Sequence, residues 1–122
     1  MGDGPHILIA EDEEFIVMLL EDMLSDEGYR MTSVNRLDDA LKILNTESFD
    51  AAVLDVNLRD APVFPLAERL RGLDVPFAFA TGGGNDSIPE SFQSYPVLCK
   101  PYSAATFIQG VASLLVPAKS KS

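Results

Sequence analysis

Apolar and polar positions alternate in blocks whose period switches from strand-like to helical and back. Ile7, Leu8, Ile9 and Ala10 form a short unbroken apolar run, the pattern of a strand buried on both faces. Beyond an acidic stretch, Ile16, Leu19, Leu20, Met23 and Leu24 fall at i, i+3, i+4, i+7 and i+8, one stripe of an amphipathic helix, with Gly28 as its stop. Tyr29 to Val34 predicts a weaker second strand. Leu37, Ala40, Leu41 and Leu44 repeat the helical spacing behind Asn35 as N-cap. Ala51 to Leu54 is another buried strand, ending on Asp55. Pro65 opens a third helix that carries Leu66, Ala67, Leu70 and Leu73. Val75 to Ala80 is the fourth strand, stopped by Thr81 and the run Gly82, Gly83, Gly84. From Asn85 to Tyr95 the pattern fails around Pro89, so at most a short, poorly ordered helix is expected there. Val97 to Cys99 is the fifth strand, with Cys99 read as a small buried hydrophobe. Ser103 caps a last helix with the stripe Ala104, Phe107, Ile108, Val111, Ala112 and Leu115.

Strict alternation of buried strands and helices argues for an α/β fold, a doubly wound five-stranded parallel sheet with helices on both faces. The 122 residues make one domain at roughly 100 to 200 residues per domain. Its expected extent is 6–116, with a short N-terminal extension over 1–5 and a disordered tail over 117–122. One cysteine provides neither a disulfide framework nor a zinc spacing, which fits a cytoplasmic protein. No apolar stretch reaches the ~20 residues of a membrane span. Nine basic against 19 acidic residues give a formal charge of −10, a field that repels nucleic acid and anionic membranes. An acidic surplus most often serves solubility alone. Position decides whether some of it does more.

In such sheets ligands bind at the carboxyl ends of the strands. Strand one ends on Glu11 and Asp12, strand three on Asp55, strand four on Thr81 and strand five on Lys100. Each has an ordinary explanation alone. Glu11 and Asp12 suit a helix start, Asp55 a turn, Thr81 a strand and Lys100 a solvated surface. Converging on one edge, the carboxylates repel, each pair at ~4 Å costing about 4 kcal/mol at an effective dielectric near 20. Lys100 offsets part of this, and the remainder suits a hard cation such as Mg²⁺, which favours carboxylates, water and phosphate oxygens. That points to phosphoryl chemistry. Asp55 would be the nucleophile forming an acyl phosphate, with Glu11, Asp12 and Asp55 on the metal and the Asn57 backbone carbonyl completing its protein ligands. Thr81 would donate a hydroxyl hydrogen bond, and Lys100 would pair with a phosphoryl oxygen.

These five features in order make the chain resemble the receiver domain of two-component response regulators, from His6 to about Val116. The resemblance implies the strand order 2-1-3-4-5, phosphorylation of Asp55 by a sensor histidine kinase, Mg²⁺ dependence and a cis peptide between Lys100 and Pro101. The run from Pro76 to Gly82 (PFAFATG), with Leu54 to Leu58 and Pro65 to Ala67, is similar to the FAT GUY receivers, often single domains served by kinases of the HWE or a related type. Two departures stand out. The chain continues Gly83, Gly84 where that signature ends in an aromatic, and Val97 occupies the place of the switch aromatic of ordinary receivers. The expected switch is therefore Thr81 with Gly82, Gly83, Gly84 and Pro101, reorganising 82–95 on phosphorylation. Tyr95 or Tyr102 would replace the aromatic, or simply pack. His6 is read as structural, and Phe107 or Ile108 as part of a partner surface.

The expected function is a stand-alone receiver, a phosphoacceptor rather than an enzyme. It would signal by protein contact or drain phosphoryl groups in a relay, as a monomer or weak dimer. Two alternatives belong to other classes. An aspartyl-nucleophile phosphatase would carry a second Asp two residues after the nucleophile, where this chain has Asn57. A phosphorylation-independent binding module would keep the fold only.

Overall fold

The structure is a computed structural model that describes residues 4–58, 60–82, 88–100 and 103–115. Five strands, β1 (His6–Ala10), β2 (Arg30–Val34), β3 (Ala51–Asp55), β4 (Phe77–Thr81) and β5 (Val97–Cys99), form one parallel sheet in the order β2-β1-β3-β4-β5. Four helices cover it: α1 (Glu14–Asp26), α2 (Leu37–Ile43), α3 (Phe64–Gly72) and α4 (Ala104–Leu115). The α/β reading and its strand order hold. No helix among the described residues is long and apolar enough to cross a membrane.

Alternate strand residues separate two cores. Leu8, Ala10, Ala52, Leu54, Phe77 and Phe79 pack toward α2 and α3, while Ile7, Ile9, Ala51, Val53 and Leu98 pack toward α1 and α4. The helix stop at Gly28 has a defined geometry. Its φ of 83° is in the left-handed region, the Gly28 N–H donates to the Ser25 carbonyl at 3.0 Å, and the Tyr29 N–H reaches the Leu24 carbonyl at 3.0 Å. Those two bonds satisfy carbonyls that the helix end would leave open. Ser103 caps α4 as expected, its Oγ accepting the Thr106 N–H at 3.1 Å.

Several local expectations are corrected. Arg36, not Asn35, is the N-cap of α2, and it provides no side-chain cap. β4 starts at Phe77 rather than Val75, because Pro76 has no N–H for the ladder, and it runs on through Thr81, which pairs with Cys99. The stripes are narrower than their spacing implied. Leu20 and Leu24 are buried but Leu19 is exposed, and so are Phe15 and Met18. Leu73 caps the end of α3 and is half exposed, and Ala104 and Ala112 of α4 face outward. Cys99 is exposed, since β5 is the sheet's edge and only Leu98 of its three residues is buried. Phe107 is fully buried, which removes it from any partner surface, and Ile108 packs against the α1/α4 core.

The weakly patterned segment holds a single 3-10 turn, Glu90–Phe92, among its described residues, with Gly83 and Gly84 outside them. Ile88 and Phe92 are buried in the α2/α3 core. Phe92 meets Phe64, Phe77 and Phe79 at centroid distances of 5.8 to 6.4 Å, and the Arg71 guanidinium sits 4.6 Å over its ring. Tyr95 stacks on Phe77 at 4.3 Å, near the start of β4 and away from Thr81 at its end. It therefore packs rather than standing in for a switch aromatic beside the site. Tyr102 and Pro101 lie outside the described residues, and with them the expected cis peptide.

Candidate functional site

Parallel pairing carries the ends of β1, β3, β4 and β5 to one edge, and the predicted residues meet there. The register places Ala10 beside Leu54, Asp55 beside Ala80 and Thr81 beside Cys99, so Glu11, Asp55, Thr81 and Lys100 follow in adjacent rows. Lys100 is anchored to this edge by its own backbone, its N–H donating to the Thr81 carbonyl at 2.9 Å.

The Lys100 ammonium donates to Glu11 Oε1 and to Asp55 Oδ2, each at 3.1 Å. Each carboxylate uses its other oxygen locally. Glu11 Oε2 accepts the Glu13 N–H at 3.1 Å, and Asp55 Oδ1 accepts the Asn57 N–H at 3.3 Å. Asp12 completes the group, with one oxygen from each of Glu11, Asp12 and Asp55 lying within 4.8 Å of the others. Thr81 is buried at the end of β4 and Gly82 is exposed beyond it.

The charges here are unbalanced. Glu11 is only 3% exposed, and burial, followed by repulsion from Asp55, pushes its carboxyl up to about 7 in spite of Lys100. For Lys100, burial works against the charge, but the hydrogen bond and attraction of Glu11 and then Asp55 outweigh it and raise its pKa. One cation thus serves two carboxylates, with a third beside them. Three hard oxygen donors in surplus over positive charge fit a divalent cation of the Mg²⁺ kind better than a soft metal.

Asn57 belongs to a small hairpin that follows β3. It faces Pro62 across an antiparallel bridge, flanked by bonds from the Val63 N–H to the Val56 carbonyl (2.9 Å) and from the Leu58 N–H to the Ala61 carbonyl (3.0 Å). In this pattern the flanking residues make the ladder bonds, so the hairpin does not consume the Asn57 carbonyl. Two contributors had no signature in the sequence: the Glu13 backbone, which holds Glu11, and the hairpin itself, in a stretch where the sequence marks no element. His6 is structural as expected. Its ring lies 4.5 Å from Phe49, with Nε2 2.7 Å from Thr32 Oγ1, at the opposite end of the sheet.

Residues 7–109 match the family model of the response regulator receiver domain. Among solved structures, the chain is similar to the BeF3-activated conformation of SdrG from Pseudomonas melonis Fr1, at 42% identity over 95% of this chain and all of that one, with a TM-score of 0.78. A receiver domain of the sensor histidine kinase PA1611 from Pseudomonas aeruginosa PAO1, solved with magnesium in its active-site cleft, shares the fold at 22% identity over 92% of this chain and 98% of that one, TM-score 0.77. The response regulator SaeR of Staphylococcus epidermidis is 30% identical over 78 residues, 62% of this chain and 34% of that protein. The chain thus matches about a third of SaeR's length.

Proposed function

The chain belongs to the response regulator receiver family, and on that premise we propose that it accepts a phosphoryl group on Asp55 from a sensor histidine kinase in a Mg²⁺-dependent reaction. The observation that carries this reading is the Lys100 ammonium held between Glu11 and Asp55 at 3.1 Å, beside a three-carboxylate group with surplus negative charge. A bound Mg²⁺ would neutralise charge on the phosphoryl oxygens. Glu11, Asp12, Asp55 and the Asn57 carbonyl would hold it, a reading supported by the closeness of the three carboxylates. PA1611, with the same fold, carries magnesium in its cleft.

The chain's own groups do the rest. A carboxylate oxygen of Asp55 attacks the phosphorus of a phosphohistidine. A P–O bond forms and the P–N bond breaks. Its electron pair leaves on the imidazole nitrogen, which is reprotonated from solvent. Lys100 then shifts from Asp55 to a phosphoryl oxygen, and the Thr81 hydroxyl donates to another. Hydrolysis of the acyl phosphate returns the carboxylate, so the domain is a phosphoacceptor with self-catalysed turnover. Thr81 and Gly82 begin the switch, with Gly83, Gly84 and Pro101 as its further members.

The finer identity is a stand-alone cytoplasmic receiver of the FAT GUY kind, covering residues 6–116, served by a kinase of the HWE or a related type. It would act by protein contact or as a phosphate sink, as a monomer or weak dimer. Support comes from the run Pro76 to Gly82 and from the likeness to SdrG over that whole chain. Incubation with Mg²⁺ and acetyl phosphate, read by intact mass and hydroxylamine lability, tests the core of this reading. A labile adduct that is absent in Asp55→Asn supports it; no adduct, or one that survives the substitution, overturns it.

A further inference from the structure

Helix α2 begins without a cap of its own, and the cap comes from the loop behind the phosphoacceptor. Its first N–H groups need acceptors, as at any helix start. Arg36 at the N-cap is extended and makes no side-chain cap bond. Asp60, 23 residues further on, accepts the Leu37 N–H on Oδ1 at 2.7 Å and reaches the Asp38 N–H with Oδ2 at 3.5 Å. The Arg36 guanidinium lies 3.8 Å from the same carboxylate. The Leu37 hydrogen bond leads in holding the Asp60 carboxyl below its ordinary range, so it is ionised where it caps.

Asp60 stands at the tip of the hairpin whose base is Asn57. That hairpin is stiff: Val56, Leu58 and Val63 are buried, and its two cross bonds measure 2.9 and 3.0 Å. Helix α2 is anchored in turn through Ala40, which is fully buried in the α2/α3 core. A fixed helix, a carboxylate clasp and a short ladder therefore run in series to Asn57, whose N–H already bonds Asp55 Oδ1. The Leu37–Asp60 bond at 2.7 Å and the two ladder bonds at 2.9 and 3.0 Å are the short, directional links through which position is transmitted.

We propose that Asp60 is a positioning residue for the divalent-cation site. By clasping the start of α2 it holds the hairpin so that the Asn57 backbone stays at the mouth of the carboxylate group. This rests on the reading of that group as a Mg²⁺ site. It concerns a residue that touches neither metal nor phosphoryl group.

The test is a Mg²⁺ titration of the full chain without phosphoryl donor, followed by amide shifts near residues 55–57, with amide exchange at Leu37 read in parallel. Asp60→Ala should weaken Mg²⁺ binding by about 10-fold, the low end for residues that orient metal ligands, and should speed exchange at Leu37. Asp60→Asn removes the charge and keeps a capping oxygen, so it should bind Mg²⁺ within about twofold of wild type. In acetyl phosphate reactions, Asp60→Ala should need more Mg²⁺ for half-maximal rate yet reach the wild-type rate at saturation. Unchanged Mg²⁺ affinity in folded Asp60→Ala overturns the inference. So does an equal loss in Asp60→Asn, which would assign the effect to long-range charge. If Asp60→Ala fails to fold, Asp60→Ser takes its place, with the same weakening expected to a smaller degree and the same unchanged affinity overturning the proposal. A wild-type chain that binds no Mg²⁺ would overturn the metal reading itself, and the inference with it.

Discussion

The two ends of the sheet use similar polar groups and arrive at opposite electrostatic states. At the amino-terminal end Asp50 and His6 exchange bonds, the His6 N–H donating to Asp50 Oδ2 and the Asp50 N–H to the His6 carbonyl, both at 2.8 Å. The imidazole spans Thr32 Oγ1 at 2.7 Å and the Ser48 carbonyl at 3.2 Å. These bonds hold β1 against its neighbours. At the carboxyl end Glu11 and Asp55 share Lys100 with Asp12 beside them, and the most enclosed of the three, Glu11, is pushed up to about 7. One end is settled, while the other stays loaded with negative charge. The lesson is that polar content does not mark a site; uncompensated charge does.

The contrast breaks first at Lys100. Lys100→Ala leaves Glu11 and Asp55 without their shared partner and should cost about 2 to 4 kcal/mol of stability at neutral pH. Millimolar Mg²⁺ should recover much of that loss in a urea titration; a Mg²⁺-independent loss would mean that the lysine acts mainly through packing.

The next effect is a pH dependence. The Glu11 carboxyl rises from 4.5 to about 7 on folding, so the native state holds a proton that the unfolded chain releases between those values. The stability linked to that proton is full below about pH 4.5 and is lost as pH rises through about 7. Without divalent cation the decline should amount to on the order of 2 kcal/mol, and Glu11→Gln should flatten it. Thermal melts across the window provide the check, and an unchanged slope in Glu11→Gln would move the titration elsewhere.

A smaller loss is expected at the settled end. His6→Ala removes two hydrogen bonds and the ring against Phe49, about 1 to 2 kcal/mol, with Mg²⁺ dependence and adduct formation unchanged. Altered Mg²⁺ affinity in that variant would erase the distinction between the two ends. The smallest effect belongs to Phe15, which is 71% exposed on the first turn after the acidic pair. Phe15→Ala should change stability by less than about 0.5 kcal/mol in a urea titration, showing that the cost of the loaded end is electrostatic rather than a lack of apolar cover.

Much of this architecture was legible along the chain. The apolar runs Ile7 to Ala10 and Ala51 to Leu54 marked central strands because they lack the alternation of a half-exposed strand. The end residues Glu11, Asp12, Asp55, Thr81 and Lys100 were legible as a group, since parallel topology carries every strand's carboxyl end to one edge. Less legible were residues whose fate depends on width or depth. Leu19 and Leu73 continue a helical period but fall outside the strip that the sheet covers, and Cys99 alternates outward on an edge strand. Asn35 has the chemistry of an N-cap, yet the cap comes from Asp60 across the fold.

By itself, then, the sequence determined the alternation of elements and the set of polar groups at the strand ends, because hydrophobic period is a local property and parallel strands share one direction. Only the tertiary structure decided that Glu11 is enclosed while Asp12 is less so, that Lys100 stands between Glu11 and Asp55 at 3.1 Å from each, and that Asp60 clasps a helix 23 residues away. Depth of burial and through-space partners arise where distant segments close on one another, and no local pattern encodes that closure.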